Sequence, residues 1–252
     1  VGAHAIEVLE VDLGPGVRAG FTTRAGGVSA APWDSLDLGL HVGDDPDRVL
    51  VNRGRVERWL GGRVAVAAQV HGADVLTVSR EPGPGEVEVG VADALVAARP
   101  GVGLAVLVAD CVPVLLADAG VGVVGVAHAG RQGLVRGVLE AAVRALTSAG
   151  ARLAHVRAVV GPAISGAEYE VPAALREQVA AAVPETWATT AWGTPALDLP
   201  AGARAVLARA GVGHVTSIDV CTARDPRFFS HRRATREGTT TGRFAGVVRS
   251  SG

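Results

Sequence analysis

The sequence contains no lysine and no methionine, only two cysteines, and only 4% aromatic residues. All 24 basic side chains are therefore arginine, set against 25 carboxylates for a net charge of −1. A chain so close to neutral lacks the broad positive field that nucleic acid or an anionic membrane selects, so neither partner is expected. Two cysteines, Cys111 and Cys221, allow at most one disulfide and give no sign of an oxidising compartment. Long uncharged runs are missing too. The most apolar stretch, Val91 to Ala129, is interrupted by Asp93, Arg99, Pro100, Asp110, Pro113 and Asp118, whereas a membrane helix needs about 20 largely uncharged residues. The opening VGAHAIEVLEVDLG is acidic, with no basic-then-apolar signal architecture. A soluble, cytoplasmic protein is expected.

What is present is a chain of 252 residues, 48% hydrophobic and 19% charged, with mean hydropathy +0.31. Those values exclude wholesale disorder and allow a full core without disulfide or metal staples. The excess of Ala, Gly, Val and Arg reads as codon bias from a GC-rich genome. Asp45–Pro46 predicts a helix start that runs to about Leu60, with Val49, Val56 and Leu60 near one face and Gly61–Gly62 stopping it. Val64–Val70 and Asp74–Val78 read as strands flanking His71–Gly72. Glu81–Gly90 is the most linker-like segment, yet only ten residues long. Val91–Ala97, Gly103–Ala109, Val112–Ala117 and Val121–Ala127 are short apolar runs of the kind that suits strands buried on both faces. Leu134 to Leu146 follows helical spacing and Gly150 closes it. Further on come a strand at Val156–Val160, helices at Pro172–Val183 and Ala201–Ala210, and a last strand at Val215–Val220. No repeat interrupts the pattern, and one α/β domain over residues 1–252 is expected.

Strand ends are where α/β folds place sites, and three junctions carry reactive side chains. They are Gln69–Val70–His71–Gly72, Ala109–Asp110–Cys111–Val112 and Ala127–His128–Ala129–Gly130. Two imidazoles and a thiolate are suitable zinc ligands that leave a fourth position for water or substrate. Their spacing, 40 residues and then 17, is unlike that of structural zinc sites. From spacing alone, a buried Cys111 with two ordinary hydrogen-bonded histidines is the commoner arrangement. Gly130, Arg131 and Gly133 at a strand-to-helix turn can favour an anion, or can be a plain turn with a solvated arginine. The arginines around Phe228–Phe229–Ser230–His231, Arg232 among them, clamp a phosphate or carboxylate or lie in a solvated loop. Tyr169, between Glu168 and Glu170, can stack on a planar base.

Eleven segments in order resemble one family: GFTTRAGGVS (20–29), HVGDDPDRVLVNR (41–53), QVHGADV (69–75), ADALV (92–96), ADCVPVLLAD (109–118), AHAG (127–130), GPAIS (161–165), YEV (169–171), CT (221–222), FFSHRR (228–233) and TGRFA (241–245). Together they resemble the YfiH-type laccase-domain family, whose members are described as purine nucleoside phosphorylases and as peptidoglycan-editing factors. The resemblance implies a layered α/β/β/α domain with mixed sheets, shared with the catalytic domain of cytotoxic necrotizing factors. It also implies a zinc centre on His71, Cys111 and His128. The implied activity is phosphorolysis of adenosine, inosine, guanosine and methylthioadenosine, with adenosine deamination. The chain departs from the family where HAGWRG becomes HAGRQG, LNLG becomes Leu36–Asp37–Leu38–Gly39, and FFSYRR becomes FFSHRR.

The leading expectation is a zinc-dependent purine nucleoside phosphorylase and adenosine deaminase. Cys111, His128, His71 and Asp110 form its catalytic set, and Arg53, Arg131, Tyr169 and Arg232 bind nucleoside or phosphate. The alternative is a Cys/His amidase acting on mis-made peptidoglycan precursors, with Cys111 as nucleophile. A copper polyphenol oxidase ranks last, because the seven histidines are scattered without an HxH pair. A monomer or small homo-oligomer is expected.

Overall fold

The computed structural model describes residues 5–251; the first four residues of the acidic opening lie outside the described residues. In chain order the strands are β1 (Val8–Glu10), β2 (Val17–Thr22), β3 (Val64–Ala65), β4 (Val75–Thr77), β5 (Ala94–Ala97), β6 (Gly103–Val108), β7 (Val112–Asp118), β8 (Val123–Ala129), β9 (Arg157–Val160), β10 (Trp187–Thr189), β11 (Pro195–Leu197), β12 (His214–Ser217) and β13 (Phe244–Ser250). The helices are α1 (Pro46–Leu60), α2 (Arg131–Val135), α3 (Val138–Ser148), α4 (Ala173–Ala182), α5 (Leu199–Arg209) and α6 (His231–Arg236).

Two mixed sheets stack face to face. One has the order β1-β2-β13-β6-β3 and the other β12-β9-β7-β8-β5-β4, with β10 and β11 forming a separate hairpin. Alternation inside the apolar runs builds the layers. Leu104 and Val106 of β6 pack between the sheets with Leu115 and Ala117 of β7, while Ala105 and Leu107 face outward to Val56 and Leu60 of α1. Val114 and Leu116 of β7 face the other way, onto Leu139, Val143 and Leu146 of α3 and Val206 and Leu207 of α5. The result is the expected α/β/β/α layering. Each strand needs apolar side chains on both faces, which is why these segments read as continuous runs rather than alternating ones. Fully burying a Leu or Val of this kind stabilises the fold by about 1.5–3 kcal/mol.

The first helix forms as its termini dictate. The Asp45 side chain accepts from the Asp47 N–H, Pro46 opens the first turn, and Gly61 ends the helix at φ 83°. Its buried Asn52 is a bracket: the side-chain amide donates to Ser29 Oγ and to the carbonyls of Ser35 and Asp37, and its oxygen accepts from Val28 N. This ties the long loop before the helix, including Asp37 and His41, to the rest of the fold.

Elsewhere the expectations need correction. The helix expected over Leu134–Leu146 is two helices, α2 and α3, because Gly137 takes the left-handed conformation at φ 85° and interrupts it. The strand expected over Val64–Val70 pairs only at Val64–Ala65. The rest of that segment bends away, with an isolated bridge from Ala68 to Val91. The short α6, the β10–β11 hairpin and the terminal β13 were not expected. Pro113 is tolerated in a central strand because it sits beside the start of β7, before pairing with β9 begins at Val114. None of the described helices is long and apolar enough to cross a membrane.

Candidate active site

The crossing from β6 to β7 carries the chain from one sheet to the other in three residues, Ala109, Asp110 and Cys111. Asp110 makes this possible by adopting φ 91°. His71, in the loop between β3 and β4, has φ 58°, and these two are the non-glycine residues with positive φ among the described residues. Left-handed backbone outside glycine thus falls, among the described residues, at two of the three junctions the sequence singled out. His128 is the penultimate residue of β8 and is 3% exposed. These elements bring together three side chains 40 and 17 positions apart in sequence. The ligand atoms of His71, Cys111 and His128 lie within 4.8 Å of one another, with Cys111 Sγ 3.8 Å from His71 Nε2. The two imidazoles meet edge to face.

One residue assembles the cluster that no motif reading assigned a role. Asp93, 1% exposed at the entry to β5, accepts hydrogen bonds from Val70 N (3.1 Å), His71 N (2.9 Å) and Gly72 N (2.7 Å) and faces His128 Nδ1 at 2.8 Å. It fixes the strained His71 loop and, as an acceptor, holds the proton on His128 Nδ1, leaving Nε2 for the cluster. The signal was there in the sequence: an ionisable residue inside the apolar ADALV run must be paired once it is buried.

Charge in the cluster is arranged accordingly. Burial pushes the Cys111 thiol up, but the facing imidazoles of His128 and His71 reverse the direction and bring it to about 6. Burial pushes His128 down, and Cys111 and Asp93 together raise it to about 9. The donor set suits a metal ion. Two imidazole nitrogens and an easily ionised thiol converge, and the carboxylate behind His128 is the outer partner that orients metal-binding histidines. Gly130 leaves the space, since a Cβ there would stand 2.8 Å from His71 Cδ2 and 3.2 Å from Cys111 Sγ.

Two chambers open on the cluster. The larger, about 380 Å³, is walled by Val70, Ile164, Leu199 and Tyr169 and edged by Arg131, Gln132 and Arg232. The smaller, about 230 Å³, is lined by His41, Gln69, His128, Leu107 and Arg243. His71, Ala109, Cys111 and His231 line both. Tyr169 lies under Arg232, whose Cζ is 5.0 Å from the ring centroid. Burial pushes its phenol up, Cys111 adds to this, and Arg131 and Arg232 oppose it. Arg232 is braced by donating to the carbonyls of Glu168 and Glu170.

Of the expected site residues, His71, Cys111, His128, Asp110, Arg131, Tyr169 and Arg232 are gathered here. Asp110 has no free oxygen, because Oδ1 accepts from Thr222 Oγ1 and Oδ2 from Arg232 N, both at 2.6 Å. It clamps the start of α6 to the Cys111 turn. Arg53 is not brought to the site. Its guanidinium donates to the carbonyls of Leu38 and Val87, so it braces the loop before α1. The expected helix N-terminus after Gly130 is only the five-residue α2, too short for the aligned dipole that reading needed. His41 and Gln69 carry no assigned role in the sequence reading, although they stand inside the HVGD and QVHGADV segments, and His231 and Arg243 enter it only with the C-terminal arginine group that clamps an anion or lies in a solvated loop.

The multi-copper polyphenol oxidoreductase laccase family model matches residues 18–251. A purine nucleoside phosphorylase of Streptomyces griseus is 51% identical over 231 residues, covering 90% of this chain and 92% of the relative. Among solved structures, a Neisseria meningitidis protein superposes with TM-score 0.85 at 35% identity, covering 98% of this chain and 100% of its own. YfiH of Bacillus licheniformis does so with TM-score 0.82 at 32% identity, covering 92% of each chain. Alike in sequence and fold over nearly its whole length, the chain belongs to the YfiH-type laccase-domain family.

Proposed function

We propose that the protein is a zinc-dependent purine nucleoside phosphorylase that also deaminates adenosine. The observation that carries this reading is the convergence of His71, Cys111 and His128 beside an amphipathic chamber, in a chain half identical to a protein named purine nucleoside phosphorylase. His71, Cys111 and His128 would hold the zinc. When bound, zinc supplies Lewis acidity and lowers the pKa of a water toward ~7.

The protein's own groups do the rest. Val70, Ile164, Leu199 and the Tyr169 ring offer apolar faces to a planar purine, and Arg131, Gln132 and Arg232 line the polar edge. Holding the nucleoside in one orientation removes the entropic part of the barrier, and arginine charge offsets the charge that develops as the glycosidic bond opens. Asp93 keeps His128 in one tautomer, and Asp110 positions Cys111 and Arg232.

One observation favours a second reading. Cys111, His128 and Asp93 also stand in the order nucleophile, base and orienting carboxylate, which suits a metal-free Cys/His amidase editing peptidoglycan precursors. A copper polyphenol oxidase comes third, since the described residues bring together a single three-ligand group.

Incubation with adenosine, with and without phosphate, separates these. Adenine formed only with phosphate supports the phosphorylase, inosine formed without phosphate supports the deaminase, and neither product overturns both. Cys111→Ala is expected to abolish activity and metal binding together; full activity of the metal-stripped protein would transfer the assignment to the amidase.

A further inference from the structure

The smaller chamber has a composition unlike its neighbour's. Its lining carries one guanidinium, four imidazoles and the Cys111 thiol, and no carboxylate. At about 230 Å³ it is below the size of usual organic-ligand pockets, whereas the larger chamber at about 380 Å³ is within their range. The two meet at Cys111 and His71, so a ligand in one abuts a ligand in the other.

Arg243 is preset for an oxyanion. Its NH1 donates to the carbonyls of Thr241 and Gly242, which pins the guanidinium, while its Nε and NH2 have no hydrogen-bond partner among the described residues. Those two nitrogens form the edge of the fork that meets oxyanions with two parallel hydrogen bonds. Nearby acids do not neutralise this edge by direct contact. Asp37 Oδ1 accepts from the backbone N–H groups of Gly39 and Arg243, its buried Oδ2 makes no hydrogen bond and acts on Arg243 only through its charge, and both oxygens of Asp110 are taken by Thr222 and Arg232. His41 is exposed and makes no hydrogen bond among the described residues. Although the residue is exposed overall, its ring is partly shielded, and that partial burial first, then Arg243 and Arg53, hold the imidazole below its ordinary value against an opposing pull from Glu88. Gln69 is spent on both backbone groups of Leu107 and closes the chamber floor.

We propose that the smaller chamber is an oxyanion subsite that binds inorganic phosphate through Arg243 and His41, beside a nucleoside held in the larger chamber. The inference rests on the phosphorylase reading and deepens it. A phosphate oxygen there forms the bond to C1′ as the C1′–N9 bond breaks. The bonding pair leaves with the purine, and the proton lost by phosphate is the one the purine gains, so free base and ribose 1-phosphate account for every atom.

The test uses the protein as purified, its His41→Ala and Arg243→Gln variants, and two readouts: calorimetric titration with inorganic phosphate and steady-state phosphorolysis. Each variant is expected to raise the KM for phosphate about tenfold or more, the loss of a charge-assisted hydrogen bond, with the KM for nucleoside within about twofold. Should Arg243→Gln fail to fold, the exposed His41→Ala decides alone. Unchanged phosphate affinity in the variants, or no phosphate binding by the parent protein, overturns the subsite. Displacement of phosphate by equimolar acetate also overturns it, because the chamber then selects carboxylates. Phosphate binding that the variants lose, without any phosphorolysis, leaves the subsite standing and removes the phosphorylase reading.

Discussion

Replacing Asp93 with asparagine tests whether a buried carboxylate organises the cluster. The side chain keeps its shape but loses its charge and one acceptor. Oδ1 serves His71 N and His128 Nδ1, and Oδ2 serves Val70 N and Gly72 N. In place of Oδ2 the amide nitrogen faces the Val70 and Gly72 N–H groups; in place of Oδ1 it faces the His71 N–H and His128 Nδ1, of which only the imidazole can turn acceptor. An unsatisfied buried polar group costs about 1–3 kcal/mol, and the preferred rotamer leaves one, the His71 N–H, so the loss is about 1–3 kcal/mol, less whatever the half-buried loop recovers from water. The rotamer that keeps Val70 and Gly72 satisfied places the amide nitrogen against His128 Nδ1. That favours the other tautomer, whose Nε2 carries a proton and no longer offers a lone pair to the cluster. Loss of such an outer partner lowers metal affinity by about 10–100-fold. Urea denaturation and competition with a chromophoric zinc chelator read the two effects separately. Stability within about 0.5 kcal/mol of the parent together with zinc affinity within about twofold would refute the account, since that spread is the ordinary scatter of surface substitutions.

Other substitutions give independent checks. Gly130→Ala is expected to lower zinc affinity at least about tenfold while cooperative unfolding persists, because its Cβ would press on His71 and Cys111; unchanged affinity in the chelator assay argues against the close approach. Asp37, raised to about 6 first by burial with Asp44 adding to it, against Gly39, Arg243 N–H and Arg243 charge, contributes stability that is present below its unfolded value of about 4 and lost as pH rises through 6. Asp37→Asn should therefore gain on the parent between pH 4 and 7 in urea titrations, and a difference independent of pH would contradict the burial argument. Glu168 behaves oppositely. Burial raises it, but Arg236 and Arg224 prevail and hold it below the usual carboxylate range, so its contribution is present above about 4.5 and lost as pH falls further. Glu168→Gln should flatten the acid limb of the stability profile, and an unaltered limb would show that these ion pairs contribute nothing there.

Much of this molecule was legible in local chemistry. The Asp45–Pro46 cap and the Gly61 stop mark α1 because a helix end must satisfy its own backbone groups with nearby residues. The valine runs mark β5 to β8 because strands buried on both faces carry few polar side chains, and those only where a partner is at hand. The reactive trio was legible as three junctions, but their meeting was not: the spacing of His71, Cys111 and His128 favoured an ordinary core over a metal site. Where local signals were weak, reading failed. Arg53 resembles any other arginine until the carbonyls of Leu38 and Val87 are seen to hold it, and α6 is too short for its spacing to stand out.

The sequence by itself determined the class of fold, most of the element boundaries and the residue types available for chemistry, including that any anion contact must be arginine or backbone and never lysine. These follow from neighbours along the chain. Only the tertiary structure decided that Asp93 orients His128, that Asp110 is spent as a clamp, and that Arg243 and His41 share a chamber with Cys111. Such pairings join residues distant in sequence, and their energies exist only once the two sheets have packed and excluded the water that would otherwise satisfy each group separately.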